Sequence, residues 1–390
     1  MIKGFQNASV VFPTGVKKSN LVFQNGKIQG YGEEDGLISL PEGIYVAPGF
    51  IDEHIHGANG ADVMDGKESS LDTMSKALVQ EGVTSFLATT MTESMENIEK
   101  ALGNVREYQK KEAPGARIIG VHLEGPFISP TFKGAQALEF IRKPNVEELD
   151  RLVKLSGNSI REVTFAYERD ENGAFLEYCK NHDIVASLGH SDCPGPLAIQ
   201  GFRSGIHCIT HLYNAQRRFH HRDVGVTGAA LLTDGVKTEL IADFHHSCKE
   251  AVEFVFKNKK KEDIVLISDS TEAKYLPEGA EAHLGSQKIF VSNGVALLED
   301  GTIAGSILHL DQALRNVALL AQGYTFADLI NLVSLNPAKN LGLEKEIGSL
   351  EIGKRADCVL LDSSFEVLMS IRDGKVVYPR ILKVKSAARK

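Results

Sequence analysis

The sequence predicts an α/β chain: a (β/α)8, TIM-like barrel, with a small β-sandwich domain formed from the N- and C-terminal segments. Three observations carry this reading. Apolar runs at 50–55, 83–88, 118–123, 163–166, 184–188, 206–210, 238–242 and 264–268 have the length and near-continuous hydrophobicity of buried parallel strands. Helical stretches separate most of them: 69–81, with Leu71, Met74 and Leu78 on one face, then 95–111, 145–156, 173–181 and 249–258. Strands alternating with helices in this way close into a barrel of about 250 residues. A doubly wound parallel sheet is the architectural alternative. The third observation is a change of texture at both ends of the chain, where short β-rich runs are broken by turns.

At the N-terminal end those runs are Val10-Val11-Phe12 and Leu21-Val22-Phe23, followed by Gln24-Asn25-Gly26-Lys27. Asn-Gly supplies the two positive φ angles that a type I′ hairpin turn needs. At the other end, 356–361, 367–371 and 376–378 read as strands, with Asp373-Gly374 as a second hairpin turn. Neither half-sheet is large enough to stand alone, so the two are expected to pair. The expected division is 1–48 plus 347–390 for the small domain and 49–346 for the barrel.

Composition narrows the function classes. Lys and Arg number 43 against 51 Asp and Glu, a net charge of −8, which argues against a nucleic-acid-binding protein. No apolar run is long enough to span a membrane, and the first residues lack a signal-peptide pattern, so the expected compartment is the cytoplasm. The five cysteines form no Cys-x-x-Cys pair, and are read as free thiols in a reducing compartment.

The chemistry gathers at the ends of the predicted strands. Phe50 to Ile55 leads into His54-Ile55-His56-Gly57, and the period of two puts both imidazoles on one face, where they can hold one cation. The third strand ends at Glu124, the fifth at His190, the sixth at His211, the seventh at Asp243 and the eighth at Asp269. In a barrel all of these lie at one mouth, the end where catalytic groups are found. His122 and His207 fall inside strands and read as interior or supporting groups, while His182, His220, His221 and His283 read as loop or helix-end residues.

Nearly end to end, the chain resembles the N-acetylglucosamine-6-phosphate deacetylases of the amidohydrolase superfamily. The resemblance rests on Pro48-Gly49-Phe50-Ile51-Asp52 with His54-Ile55-His56-Gly57, on His122-Leu123-Glu124-Gly125-Pro126-Phe127, and on Leu188-Gly189-His190-Ser191. It continues through Thr210-His211-Leu212-Tyr213-Asn214-Ala215, His221-Arg222-Asp223, Ile241-Ala242-Asp243, Ser268-Asp269-Ser270 and Gly301 to Ser306. It implies metal-dependent hydrolysis of the acetamide of N-acetylglucosamine 6-phosphate to glucosamine 6-phosphate and acetate, within amino-sugar catabolism. Glu124, His190 and His211 would hold one divalent ion, and His54 and His56 a second, with Glu124 as a bridge. Zinc or iron is the expected metal, with one or two ions per subunit. Asp269 would be the catalytic residue, general base towards a metal-activated water and then general acid towards the leaving amine. Ala135, Gln136, Asn214, Ala215, His246 and Ile303-Ala304-Gly305 would bind the amino-sugar phosphate. Arg222, in the basic run Arg217-Arg218-Phe219-His220-His221-Arg222, would reach the phosphate in the neighbouring active site of a homodimer.

The chain departs from the family pattern on the substrate side. Gln136 and His309 stand where a histidine and a threonine are usual, and Phe244 replaces a glycine after Ala242-Asp243. A deacetylase of another N-acetyl sugar phosphate, such as the galactosamine epimer, therefore stays open. A cyclic amidase of the dihydroorotase or allantoinase kind would use the same barrel, but Glu124 in place of a lysine and the Arg222 cluster speak against it. A non-catalytic sugar-phosphate-binding protein would be expected to lose Asp269 or a ligand.

Overall fold

The computed structural model describes residues 1–379. Eight parallel strands form the barrel: Phe50–Ile55, Val83–Thr89, Arg117–Glu124, Ile160–Phe165, Val185–Leu188, Cys208–Ile209, Lys237–Leu240 and Ile264–Leu266. Each pairs with the next in chain order. The ring closes between the last and the first, through a parallel bridge of Ile55 with Ser270 and through the N–H groups of Asp269 and His56, which donate to His54 O and Ser270 O at 2.9 Å. All six residues of the first strand and all seven of the second are buried, because helices cover the outside of the barrel and side chains fill the inside. The eight sequence runs coincide with these strands to within a few residues.

Helices Glu68–Leu78, Met95–Tyr108, Val146–Leu155, Ala174–Asn181 and Lys249–Asn258 occupy the expected stretches. Ser94 and Asn145 begin two of them, accepting from Asn97 N–H and Glu148 N–H. Helix Gly225–Leu232 was not legible as a helix, since its first six residues are buried and leave no polar face to set a period.

The ends of the chain meet in one eight-stranded sheet, as expected. Tyr45–Pro48 runs antiparallel to Cys358–Leu361, with Ala47 opposite Val359. The sheet folds around a core of Phe5, Val10, Leu21, Phe23, Leu360 and Ile371, so the sandwich is made from one continuous sheet. Asn25 and Gly26 adopt φ of 52° and 75°, as a type I′ turn requires. We propose 1–48 with 347–390 and 49–346 as the two folding units; residues 380–390 lie outside the described residues.

A three-stranded antiparallel sheet, Glu281–Leu284, Gln287–Ser292 and Val295–Leu297, is inserted after the last barrel strand. It packs Ala282, Leu284, Ile289, Val291 and Ala296 against Met91 and Ala304. His283 therefore lies in a strand, not a loop. His207 is another correction: it is exposed just before the two-residue sixth strand, and only its backbone joins the barrel. Among the described residues, no helix is long and apolar enough to cross a membrane.

Candidate metal centre

The closing seam of the barrel brings the first and last strands together, and with them His54, His56 and Asp269. Asp269 Oδ1 lies 3.4 Å from His54 Nε2 and 3.2 Å from His56 Nε2. Glu124, at the end of the third strand, reaches both this group and a second one. Its Oε1 is 3.1 Å from His190 Nε2 and 3.0 Å from His211 Nε2, and its Oε2 is 3.3 Å from His56 Nε2. The two sets, His54 with His56 and Asp269, and Glu124 with His190 and His211, each have the spacing of a metal site. His190, His211 and Asp269 have φ of 46°, 29° and 49°. That left-handed backbone is unfavourable for residues with a Cβ and is found where function holds it in place.

The tautomers of the histidines fit metal ligation. His190 Nδ1 lies 2.9 Å from the carbonyl oxygen of Phe132, which can only accept, so Nδ1 carries the proton and Nε2 offers a lone pair. His54 Nδ1 lies 2.9 Å from Glu239 Oε2, and the N–H of His211 donates to the same oxygen at 3.0 Å. Buried His54 Nε2 has no hydrogen-bond partner among the described residues, the state of an atom that faces a cation. His190 Nε2 and His211 Nε2 are 3.1 Å apart, close enough for both to face one ion. The residues thus fit a divalent ion, through a nitrogen and oxygen donor set.

Electrostatics agree. Burial works against ionisation of Glu124, yet His54, His190 and His211 hold its carboxyl well below the usual range. Burial likewise opposes charge on His56, but Asp269 and Glu124 raise it to about 9. Against the same desolvation, His54 and His56 lower Asp269 to about 2. The centre favours positive charge, and a cation entering it would displace protons.

A cavity of about 330 Å³ opens above these groups. Of the residues expected at the site, His56, Glu124, His190, His211 and Asp269 line it, as do Ala135, Gln136, Asn214, Ala215, His246, Ile303 and Gly305. His54 lies beneath it, fully buried. Ala304 turns away into the core of the inserted sheet, because its N–H donates to Ala296 O and its methyl packs there. Between Ile303 and Ala304 the backbone alternation decides which side chain sees the cavity. Arg222 is exposed and does not line the cavity of its own chain; Arg217, in the same run, is held by Asp192 and Asp223. Gln136 is spent locally: its Oε1 accepts from Thr92 N–H at 2.7 Å and its Nε2 donates to Glu124 Oε2 at 2.8 Å. His246 donates through Nδ1 to Asp243 at 2.7 Å, and this carboxylate raises its pKa against the effect of burial.

Glu239 escaped the sequence reading. It sits inside the apolar run Thr238 to Ala242, which reads simply as a strand. The available signal was a charged residue in a fully buried strand, which needs a partner to be stable there.

An eight-stranded parallel barrel that gathers histidines and carboxylates at metal-binding spacing at its C-terminal mouth is the architecture of the metal-dependent barrel hydrolases. The chain belongs to the amidohydrolase family, whose model matches residues 45–377. It is 42% identical to the N-acetylglucosamine-6-phosphate deacetylase of Bacillus subtilis (strain 168), over 87% of this chain and 86% of that one. It is 36% identical to the N-acetylgalactosamine-6-phosphate deacetylase of Escherichia coli O157:H7, over 85% and 90%. The crystal structure of the N-acetylglucosamine-6-phosphate deacetylase of Thermotoga maritima is similar with a TM-score of 0.86 at 37% identity, covering 96% of this chain and 99% of that one.

Proposed function

We propose that this chain hydrolyses the acetamide of N-acetylglucosamine 6-phosphate, giving glucosamine 6-phosphate and acetate. The observation that carries the reading is the convergence of Asp269, Glu124, His56, His190 and His211 on one cavity, with His54 beneath it, in a chain 42% identical to a deacetylase of that substrate. Glu124, His190 and His211 would hold one divalent ion and His54 and His56 a second, which would supply Lewis acidity to the amide carbonyl and acidify water. We assign zinc or iron to this centre. Asp269, ionised at neutral pH, takes the proton of the attacking water at its carboxylate. Water oxygen bonds to the acetyl carbon, the carbon–nitrogen bond breaks, and Asp269 returns the proton to nitrogen, because an amine too basic to leave as an anion must be protonated first. Glu239 and Phe132 O keep the histidine tautomers fixed.

His246, Asn214, Ala215, Ile303 and Gly305 surround the space for the sugar. Arg222, exposed on its own chain, serves the phosphate of the neighbouring subunit in a homodimer, where guanidinium offers paired charge-assisted hydrogen bonds. The galactosamine epimer is the second reading, favoured by the 36% identity to its deacetylase and by the engagement of Gln136 with Glu124 instead of the sugar. Acetate release from N-acetylglucosamine 6-phosphate, its galactosamine epimer and unphosphorylated N-acetylglucosamine, offered in parallel, decides between them. Fastest turnover of the first is expected. Arg222→Ala should raise KM for the phosphorylated sugar about 10- to 100-fold, leaving the unphosphorylated one little changed. Preference for the epimer would replace the first reading with the second.

A further inference from the structure

Below the mouth, the barrel interior holds buried carboxylates of which the proposed reaction uses one oxygen alone, Glu239 Oε2, as the partner of His54. Glu53, Glu162 and Glu239 enter it from the first, fourth and seventh strands, each with no exposed surface. Glu162 is in register with His122 on the neighbouring strand, and the His122 ring lies 4.5 Å from that of His54, so Glu162 faces inward. Oε2 of Glu53, Oε1 of Glu239 and both oxygens of Glu162 have no hydrogen-bond partner among the described residues. Asn340 donates to the other oxygen of Glu53 at 3.1 Å. Among the described residues, the one ion pair that any of the three makes is Glu239 Oε2 with His54. Cys208, on the sixth strand, is also fully buried, and one ligand atom from each of Glu53, Cys208 and Glu239 lies within 4.8 Å of the other two.

Four fully buried carboxylate oxygens with no hydrogen-bond partner among the described residues are costly to leave charged, and protons or a cation can neutralise them. We propose that the barrel interior binds an additional divalent cation through Glu53, Cys208 and Glu239, with Glu162 as a further oxygen ligand. The thiol sets the class of ion. Sulfur with carboxylate suits a borderline ion such as zinc better than magnesium or calcium, and the thiol proton leaves to solvent on binding. The position has a consequence for the centre above it. Glu239 Oε2 already receives His54 and the N–H of His211, so an ion on Oε1 would fix the carboxylate that aims both ligands.

Cobalt(II)-substituted protein tests this directly, because no cysteine lines the cavity or belongs to either ligand set at the mouth. A thiolate-to-cobalt charge-transfer band can then come from Cys208 and not from that centre. The band is expected in the wild type and in Cys248→Ser, which removes the exposed thiol. It should vanish in Cys208→Ser, with one metal equivalent per chain fewer by elemental analysis and an unchanged circular dichroism spectrum. If Cys208→Ser does not fold, Glu162→Gln should weaken the band at equal cobalt. Absence of the band in the wild type, or equal metal content in wild type and Cys208→Ser, would overturn the proposal. So would an infrared carbonyl band of protonated carboxyls in the metal-loaded wild type that disappears in Glu162→Gln.

Discussion

Glu124 is the residue at which the two ligand sets meet, and its neighbours divide into those the sequence announces and those it conceals. His54 and His56 were legible because period two on a strand puts them on one face, and Asp269 because a carboxylate ends a predicted strand. Glu239 was concealed, since its role depends on a contact with His54 across the barrel, 185 positions away in the chain. Gln136 was legible as a position but not in its bonding, which turns on where Thr92 and Glu124 fall in space. Glu239 gives the sharper expectation. Glu239→Gln keeps the shape but replaces an anion that can only accept with an amide, so His54 loses its enforced tautomer. Metal affinity, followed by competition with a chelator, should fall about 10- to 100-fold.

At the scale of elements, strands carried clear signals because burial on both faces makes them continuous apolar runs. The inserted sheet carried a weaker one. Asn293-Gly294 between Val291 and Val295 is the same hairpin signal as Asn25-Gly26, and its φ angles are 54° and 78°, but the strands around it are short. The segment bearing Arg222 is tied down by Asp223, which accepts from the N–H groups of Gly195 and Gly225 at 2.9 and 3.0 Å and pairs with Arg217. The Gly195 N–H, the Arg217 guanidinium and the Gly225 N–H lower its carboxyl to about 2. A depressed carboxyl stabilises the fold above its unfolded pKa of about 3.9 and loses that contribution as pH falls towards 2. Protection factors of the amides around 217–226, corrected for the intrinsic rate at each pH, should therefore stay high at neutral pH and fall as pH drops below about 4. In Asp223→Asn they should be low at both, and a loop equally protected in the variant would show that Asp223 does not hold it.

For the whole molecule, the seam that closes the barrel also builds the centre: Asp269 N–H donates to His54 O, and the two side chains meet one above the other. Eight strands were countable from the sequence, and the resemblance supplied the order of their ligands. Closure itself was not countable, because it rests on bridges at Ser270 beyond the last strand and not on a run of apolar residues. In the proposed reaction, metal and Asp269 act together on the amide. The most direct measurement is acetate release from N-acetylglucosamine 6-phosphate by chelator-stripped protein, by the same protein reloaded with zinc or iron, and by reloaded Asp269→Asn. Stripping should abolish turnover, reloading should restore it, and Asp269→Asn should bind metal normally yet turn over about 10²- to 10⁴-fold more slowly. Full activity in the stripped protein, or in metal-loaded Asp269→Asn, would contradict the account.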